Sequence, residues 1–284
     1  MPEATTLDEL RAAERREAIR SLWTDGDYPR IGELFAPAAH TMLEHLDLDG
    51  RDLLDAGTGT GNVALTAARR GARVRAFDLT PRLLDEARRR AGRAGADIEF
   101  REGDLLDIPW PDGSFDLVCS CFAAFLSGDA ARCLTELVRV SRPGGRIVTT
   151  AWSEHSIFFR MTQVAREHDP QLIGVRDPGP FADRDLLREL AAELPVDAVD
   201  VQEHPMPLGF GSAAAAMGFF ERTSGPVQRM ASAFGERWIS VRRDIVDDWD
   251  ALADSGDGGV LLPATFCLAT CQLADAPPAS EDPR

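Results

Sequence analysis

Between Leu53 and Gly71 the chain runs from an apolar segment through Gly57, Gly59 and Gly61 into an amphipathic stretch, and no other passage constrains the fold so tightly. The residues that open RDLLDAGTGTG read as an apolar strand. The alternate glycines read as a loop that can turn sharply and approach a ligand without Cβ clashes. The residues after them read as a helix ended by Gly71. The pattern continues without the glycines: ARVRAFD, IEFREGD, FDLVCSC and GRIVTTAW read as strands, with helices over Pro81–Arg93 and Leu134–Val140. VDAVDVQEHP and PATFCLATCQL complete seven strands. Such alternation predicts an α/β chain with a doubly wound, mostly parallel sheet that binds ligands at the carboxyl ends of its strands.

Helical patterning also covers residues 7–23, 31–46, 157–168, 183–194 and 212–252. The last block is too long for a simple connection between strands, so it reads as a cap. The expected organisation is one domain. Residues 47–205 and 260–273 form the sheet-bearing core, 1–46 and 206–259 a helical cap and substrate region, and 274–284 a flexible tail.

Charge removes several function classes. The 284 residues carry 31 basic and 47 acidic side chains, a formal net charge of −16, which disfavours a general nucleic-acid binder. All 31 basic residues are arginine, a bias of GC-rich bacterial genes. A lysine Schiff base, a lysine general base and a P-loop lysine are therefore excluded. No apolar run reaches the roughly 18–20 residues of a membrane span, and the first residues lack a signal-peptide core. A cytoplasmic protein without membrane contact is expected. Five cysteines stand without histidines at zinc spacing, so they read as reduced core thiols, and no metal is expected.

The glycine loop can be tested against nucleotide chemistry. The dinucleotide fingerprint needs its third glycine at position 62, which is Asn62. Asp55 would also lie beside a pyrophosphate, anion against anion. A cationic ligand suits the loop better.

DAGTGTG, Asp78 at the end of ARVRAFD, EGDLLDIPWPDGSFDLVCS and RVSRPGGRIVTTAW follow in one order. Over residues 28–152 the sequence resembles the class I S-adenosylmethionine-dependent methyltransferases, in the branch related to ubiquinone-biosynthesis methyltransferases. The resemblance implies a Rossmann-like fold with S-adenosyl-L-methionine as cofactor and S-adenosyl-L-homocysteine as product. It implies that Asp55, Gly57, Thr58, Gly59, Gly61 and Asn62 form the nucleotide loop, and that Asp78 and Leu79 meet the ribose. Gly103, Asp104 and Leu105 would flank the adenine, and Ser120, Cys121 and Phe122 would meet the methionine portion. Tyr28, the chain's single tyrosine, stands where relatives often carry a tyrosine that reaches the cofactor.

A sulfonium methyl is already electrophilic, so alignment and water exclusion can supply most of the rate enhancement. If a base is used, His155 after the fifth strand is the candidate, with His204 second. Trp152, Phe158, Phe159, Met161, Phe219 and Phe220 are candidates to line an apolar acceptor pocket, with Arg160 and Arg222 nearby. The expected partner is a small-molecule acceptor of secondary metabolism, and a homodimer is compatible with the chain. Two alternatives stay open: a non-methyl-transfer reaction such as cyclisation on the same fold, and a cofactor-binding partner subunit without turnover. A nicotinamide oxidoreductase is disfavoured by Asn62 and Asp55.

Overall fold

The computed structural model describes residues 7–171, 179–256 and 258–276. Helices α1 (Leu7–Thr24) and α2 (Tyr28–Leu43) precede β1 (Asp52–Ala56), α3 (Asn62–Arg69), β2 (Arg73–Asp78), α4 (Pro81–Ala94) and β3 (Ile98–Glu102). Next come β4 (Phe115–Cys121), α5 (Ala130–Val140), β5 (Ser141–Trp152), α6 (Ile157–His168), α7 (Arg184–Leu190) and β6 (Val196–His204). The chain continues through β7 (Pro207–Phe210), α8 (Ala213–Thr223), α9 (Gly225–Phe234), α10 (Trp238–Leu252), β8 (Asp254–Gly256), β9 (Gly259–Pro263) and β10 (Phe266–Leu273).

Seven strands form one sheet in the order β3-β2-β1-β4-β5-β10-β6. The first five are parallel, and β10 runs antiparallel between β5 and β6. Every strand expected from the sequence is present. The order reverses direction at β1 and β4, which opens a crevice above their carboxyl ends. Leu53–Ala56 are all buried, as a central parallel strand with helices on both faces requires.

Local chemistry sets the turns around that crevice. After β1, Gly57 turns at φ +75°, and the N–H groups of Gly57 and Thr58 both donate to the Phe77 carbonyl, at 2.9 and 2.8 Å. The loop is thereby laid across the end of β2. Gly61, at φ +90°, starts α3. Pro81 opens α4, and Gly95 at φ +63° closes it. Leu54, Phe77, Phe115, Leu134 and Leu137 pack on one face of the sheet, and Met42, Leu43, Leu53, Val63 and Val74 on the other.

Two expectations change. The stretch 206–259 is not wholly helical: besides α8, α9 and α10 it supplies β7, β8 and the start of β9, an antiparallel sheet ordered β7-β9-β8. These strands are too short to show alternation in sequence, and Gly259 allows the Phe210 carbonyl to approach where any Cβ would collide. The second helix opens at Tyr28 rather than Ile31, with Pro29 in its first turn. Of the expected tail at 274–284, residues 277–284 lie outside the described residues, as do 1–6 of the N-terminal region.

Candidate active site

A cavity of about 220 Å³ opens above the carboxyl ends of β1, β2 and β4. Asp55, Gly57, Thr58, Gly59, Asn62, Asp78, Leu79, Gly103, Asp104, Leu105, Cys121, Tyr28 and Trp152 all line it. The structure thus brings most of the sequence-derived cofactor residues to one place.

Three carboxylates stand around the cavity in different states. Asp55 is 1% exposed; its Oδ2 accepts from Thr58 Oγ1 at 2.6 Å and from the Ala64 N–H at 2.9 Å, while Oδ1 has no protein partner. Burial pushes its carboxyl up to about 7, with the nearby Asp78 charge adding to the rise and the two hydrogen bonds opposing it. Asp78 accepts from the Gly59 N–H on Oδ2 and the Thr80 N–H on Oδ1, each at 2.8 Å. Burial raises its pKa despite these donors. Each Asp78 oxygen keeps acceptor capacity for a further donor. Asp104 accepts from the Leu106 N–H at 3.0 Å on Oδ1, and Arg15 of α1 pairs with its Oδ2.

The glycines fit this close packing. A Cβ at Gly57 would collide with Ala123, and one at Gly103 would lie 2.8 Å from Pro109 Cδ. Asn62 replaces the third dinucleotide glycine for a reason visible here. Its Nδ2 donates to the Gly32 carbonyl at 2.6 Å, and its Oδ1 accepts from Arg90 Nη1 at 3.0 Å. Arg90 also donates to the Thr60 carbonyl at 2.7 Å, so α2, the loop and α4 are tied together.

The opposite wall is aromatic. Phe122 and Trp152 stack at 3.9 Å and 19°, and Phe35 of α2 meets both, at 5.7 and 5.2 Å. All three line the cavity. Phe122 has φ +54°, the one non-glycine residue with positive φ among the described residues. Its N–H donates to Thr150 Oγ1 at 2.9 Å, which anchors this uncommon conformation. Burial pushes the adjacent Cys121 thiol up to about 12, so it stays protonated at neutral pH.

Several candidates fall elsewhere. Ser120 and Gly61 do not line the cavity. Ser120 Oγ donates to the Ala56 carbonyl at 2.8 Å and accepts from the Ala124 N–H at 3.1 Å, joining β4 to β1. Gly61 packs on Ala87 of α4. His155 sits in a separate surface depression with Ser153 and Glu203, and its Nδ1 is 2.8 Å from Glu203 Oε1. That carboxylate raises its pKa. His204 stacks on Phe266 at 5.6 Å. Neither histidine lines the cavity.

The acceptor candidates divide likewise. Phe158 lies behind Trp152 and Phe35, at 4.4 and 5.5 Å, and Phe220 is 1% exposed in the core beyond it. Phe219 packs against Tyr28, Ile31 and Leu83, and Met161 is buried. Phe159 and Arg222 do not line the cavity. Arg160 pairs with Asp248. No described residue of 206–259 lines the cavity; α1 and α2 cover it instead, through Arg15, Ile19, Trp23, Tyr28, Ile31 and Phe35.

Sequence reading did not single out Arg15, Phe35 or Thr80 as site residues. Phe35 had a usable signal, four residues after Ile31 on one helix face. Arg15 had none, being one of several arginines on an amphipathic helix. Among the described residues no cluster of His, Cys, Asp and Glu is arranged to hold a metal ion, and the five cysteines are free. Among the same residues no helix is long and apolar enough to cross a membrane.

Comparison with known proteins places this geometry. The family model described as a methyltransferase domain matches residues 54–149. An uncharacterised protein of Mycobacterium tuberculosis is 34% identical over 155 residues, 54% of this chain and 57% of its own. The demethylmenaquinone methyltransferase of Deinococcus radiodurans is 42% identical over 113 residues, 39% of this chain and 46% of its own. The chain thus spans about half the length of the relatives it matches. The crystal structure of the YcgJ protein of Bacillus subtilis superposes with a TM-score of 0.57 at 17% identity, over 86% of this chain and 100% of that one. The similarity to a methyltransferase domain thus spans residues 54–149, which lie in a Rossmann-like α/β fold shared with that structure.

Proposed function

We propose that this chain is an S-adenosylmethionine-dependent methyltransferase acting on a small apolar acceptor. The observation that carries the reading is the unpartnered Oδ1 of Asp55, a buried carboxylate oxygen at the floor of the glycine loop. An unpaired buried acceptor costs free energy, and an ammonium group satisfies it where a pyrophosphate would worsen it. The cavity therefore fits a nucleoside that carries an amino acid, not a dinucleotide.

S-adenosylmethionine, when bound, supplies a methyl group on a positively charged sulfur. Asp55 would hold the amino group of its methionine portion. Asp78 would accept from the ribose hydroxyls with the lone pairs left by Gly59 and Thr80. Gly103, Asp104 and Leu105 would border the nucleobase. Phe35, Phe122 and Trp152 exclude water and present ring faces whose negative quadrupole suits a nearby cation. That wall orients the acceptor and offers it no carboxylate or imidazole, so the acceptor's own ionisation supplies the nucleophile.

The net charge and the aromatic wall support a small molecule over nucleic acid. The shared domain ends at residue 149, before the later segments in which acceptor choice can diverge. That supports a lineage-specific acceptor, and a place in bacterial secondary metabolism belongs to the same proposal. The test is incubation with S-adenosylmethionine and a panel of phenols, hydroquinones and amines. Released S-adenosylhomocysteine should match a product heavier by one methylene. A rearranged acceptor without such release would instead identify a cyclisation, and cofactor binding without any turnover a partner subunit.

A further inference from the structure

Asp104 is the residue placed to meet the nucleobase, yet its carboxylate is already engaged on both oxygens. Oδ1 accepts from the Leu106 N–H, and Oδ2 is paired with Arg15 Nη2 of α1. The other terminal nitrogen of Arg15 donates to the Ser127 carbonyl at 3.1 Å, so the guanidinium spans the subsite as a fork. Arg16 stands 3.9 Å from the same Asp104 oxygen. The paired side chains are mostly shielded, Arg15 at 23% and Asp104 at 9% exposure. Arg20, one turn on, also docks α1, through Glu102 and the Leu79 carbonyl, but it does not line the cavity.

We infer that Arg15 is an internal competitor for the nucleobase subsite: it occupies the Asp104 oxygen that an exocyclic amine would use, and cofactor binding displaces it. The inference rests on the cofactor reading above. A charge-assisted pair in a part-shielded site is stronger than the bond from a neutral amine that replaces it. The pair therefore reduces apparent cofactor affinity by the fraction of molecules in which it is made. With Arg15 displaced, α1 stays attached to the molecule. Ser21 Oγ accepts from Arg229 Nη2 of α9 at 2.8 Å, and Gly26 bridges to Ser224.

The test is calorimetric titration of S-adenosylhomocysteine into the full chain and its Arg15→Ala, Arg15→Gln and Arg20→Ala variants. Both Arg15 variants should bind about five- to tenfold more tightly than the parent, and Arg20→Ala within about twofold of it. Raising sodium chloride from about 50 mM to about 0.5 M should tighten binding to the parent and leave Arg15→Ala unchanged, because the ligand is a neutral zwitterion and the pair is screened. Equal or weaker binding by the Arg15 variants overturns the inference and leaves the cofactor reading standing. Equal tightening by Arg20→Ala also overturns it, since loosening α1 would then suffice. Failure of all four proteins to bind overturns the cofactor reading and this inference together.

Discussion

Asp55 shows how a single carboxyl can trade stability for binding. In the folded chain it titrates at about 7, against 3.8 when unperturbed, because burial penalises its charge. The stability it contributes is therefore present in full below about pH 4 and lost as pH rises through about 7. Asp55→Asn should raise the thermal midpoint of the ligand-free protein at pH 8 more than at pH 5, readable by calorimetric scanning. The same variant should lose affinity for S-adenosylhomocysteine, whose stabilisation of the parent should grow from pH 6 to pH 8 as the carboxylate ionises. Asp78 has a different balance, with both oxygens held by backbone donors. Asp78→Ala should cost roughly 1.5–3 kcal/mol of cofactor binding, about 10- to 160-fold in affinity by calorimetry. His155 pairs with Glu203 away from the cavity, so His155→Ala should leave turnover within about twofold of the parent in the methyl-transfer assay.

At the level of elements, the seven strands were readable because the inner ones bury apolar runs and the edge strands β3 and β6 keep half-buried apolar positions, all bounded by turn residues. The cofactor loop was readable because Gly57 and Gly61 perform backbone turns that leave a sequence signature. The small sheet was not, since β7, β8 and β9 run three to five residues and sit among helices. The aromatic wall was half readable. Trp152 ends a strand and faces the cavity as expected, whereas Phe158 and Phe220 share its composition and are packed behind it. What separates them is tertiary placement, which spacing does not encode. Phe122 carries a further cue that only backbone geometry reveals, its φ of +54°. Phe122→Gly should relieve that conformation, offsetting part of the stability lost with its ring. It should reduce acceptor turnover far more than cofactor affinity, as kinetics and calorimetry on one preparation would show.

Across the whole molecule, the late helices act on the site through the early ones. Although α8 and α9 do not line the cavity, they brace α1 and α2, which do, while α10 packs behind them. Asp27 N–H donates to the Thr223 carbonyl at 2.8 Å, and the Gly225 N–H donates to Tyr28 Oη at 3.2 Å. Gly225 is required there by space: a Cβ would collide with the Leu22 carbonyl and lie 2.7 Å from the Asp25 carbonyl, at the junction of α1 and α2. Trp249 of α10 belongs to the same bundle but lies deep inside it, fully buried with Nε1 donating to the Ile157 carbonyl at 3.1 Å. The two positions should therefore separate cover geometry from bulk stability. Trp249→Phe removes a buried hydrogen bond and leaves a cavity, costing about 1–3 kcal/mol in denaturant unfolding, while cofactor affinity stays within about twofold. Gly225→Ala pushes the α1–α2 junction off the cavity and should weaken S-adenosylhomocysteine binding well beyond what its own loss of stability explains. If both variants lose stability and affinity in the same proportion, the bundle and the cover form one cooperative unit, and the brace has no separate role.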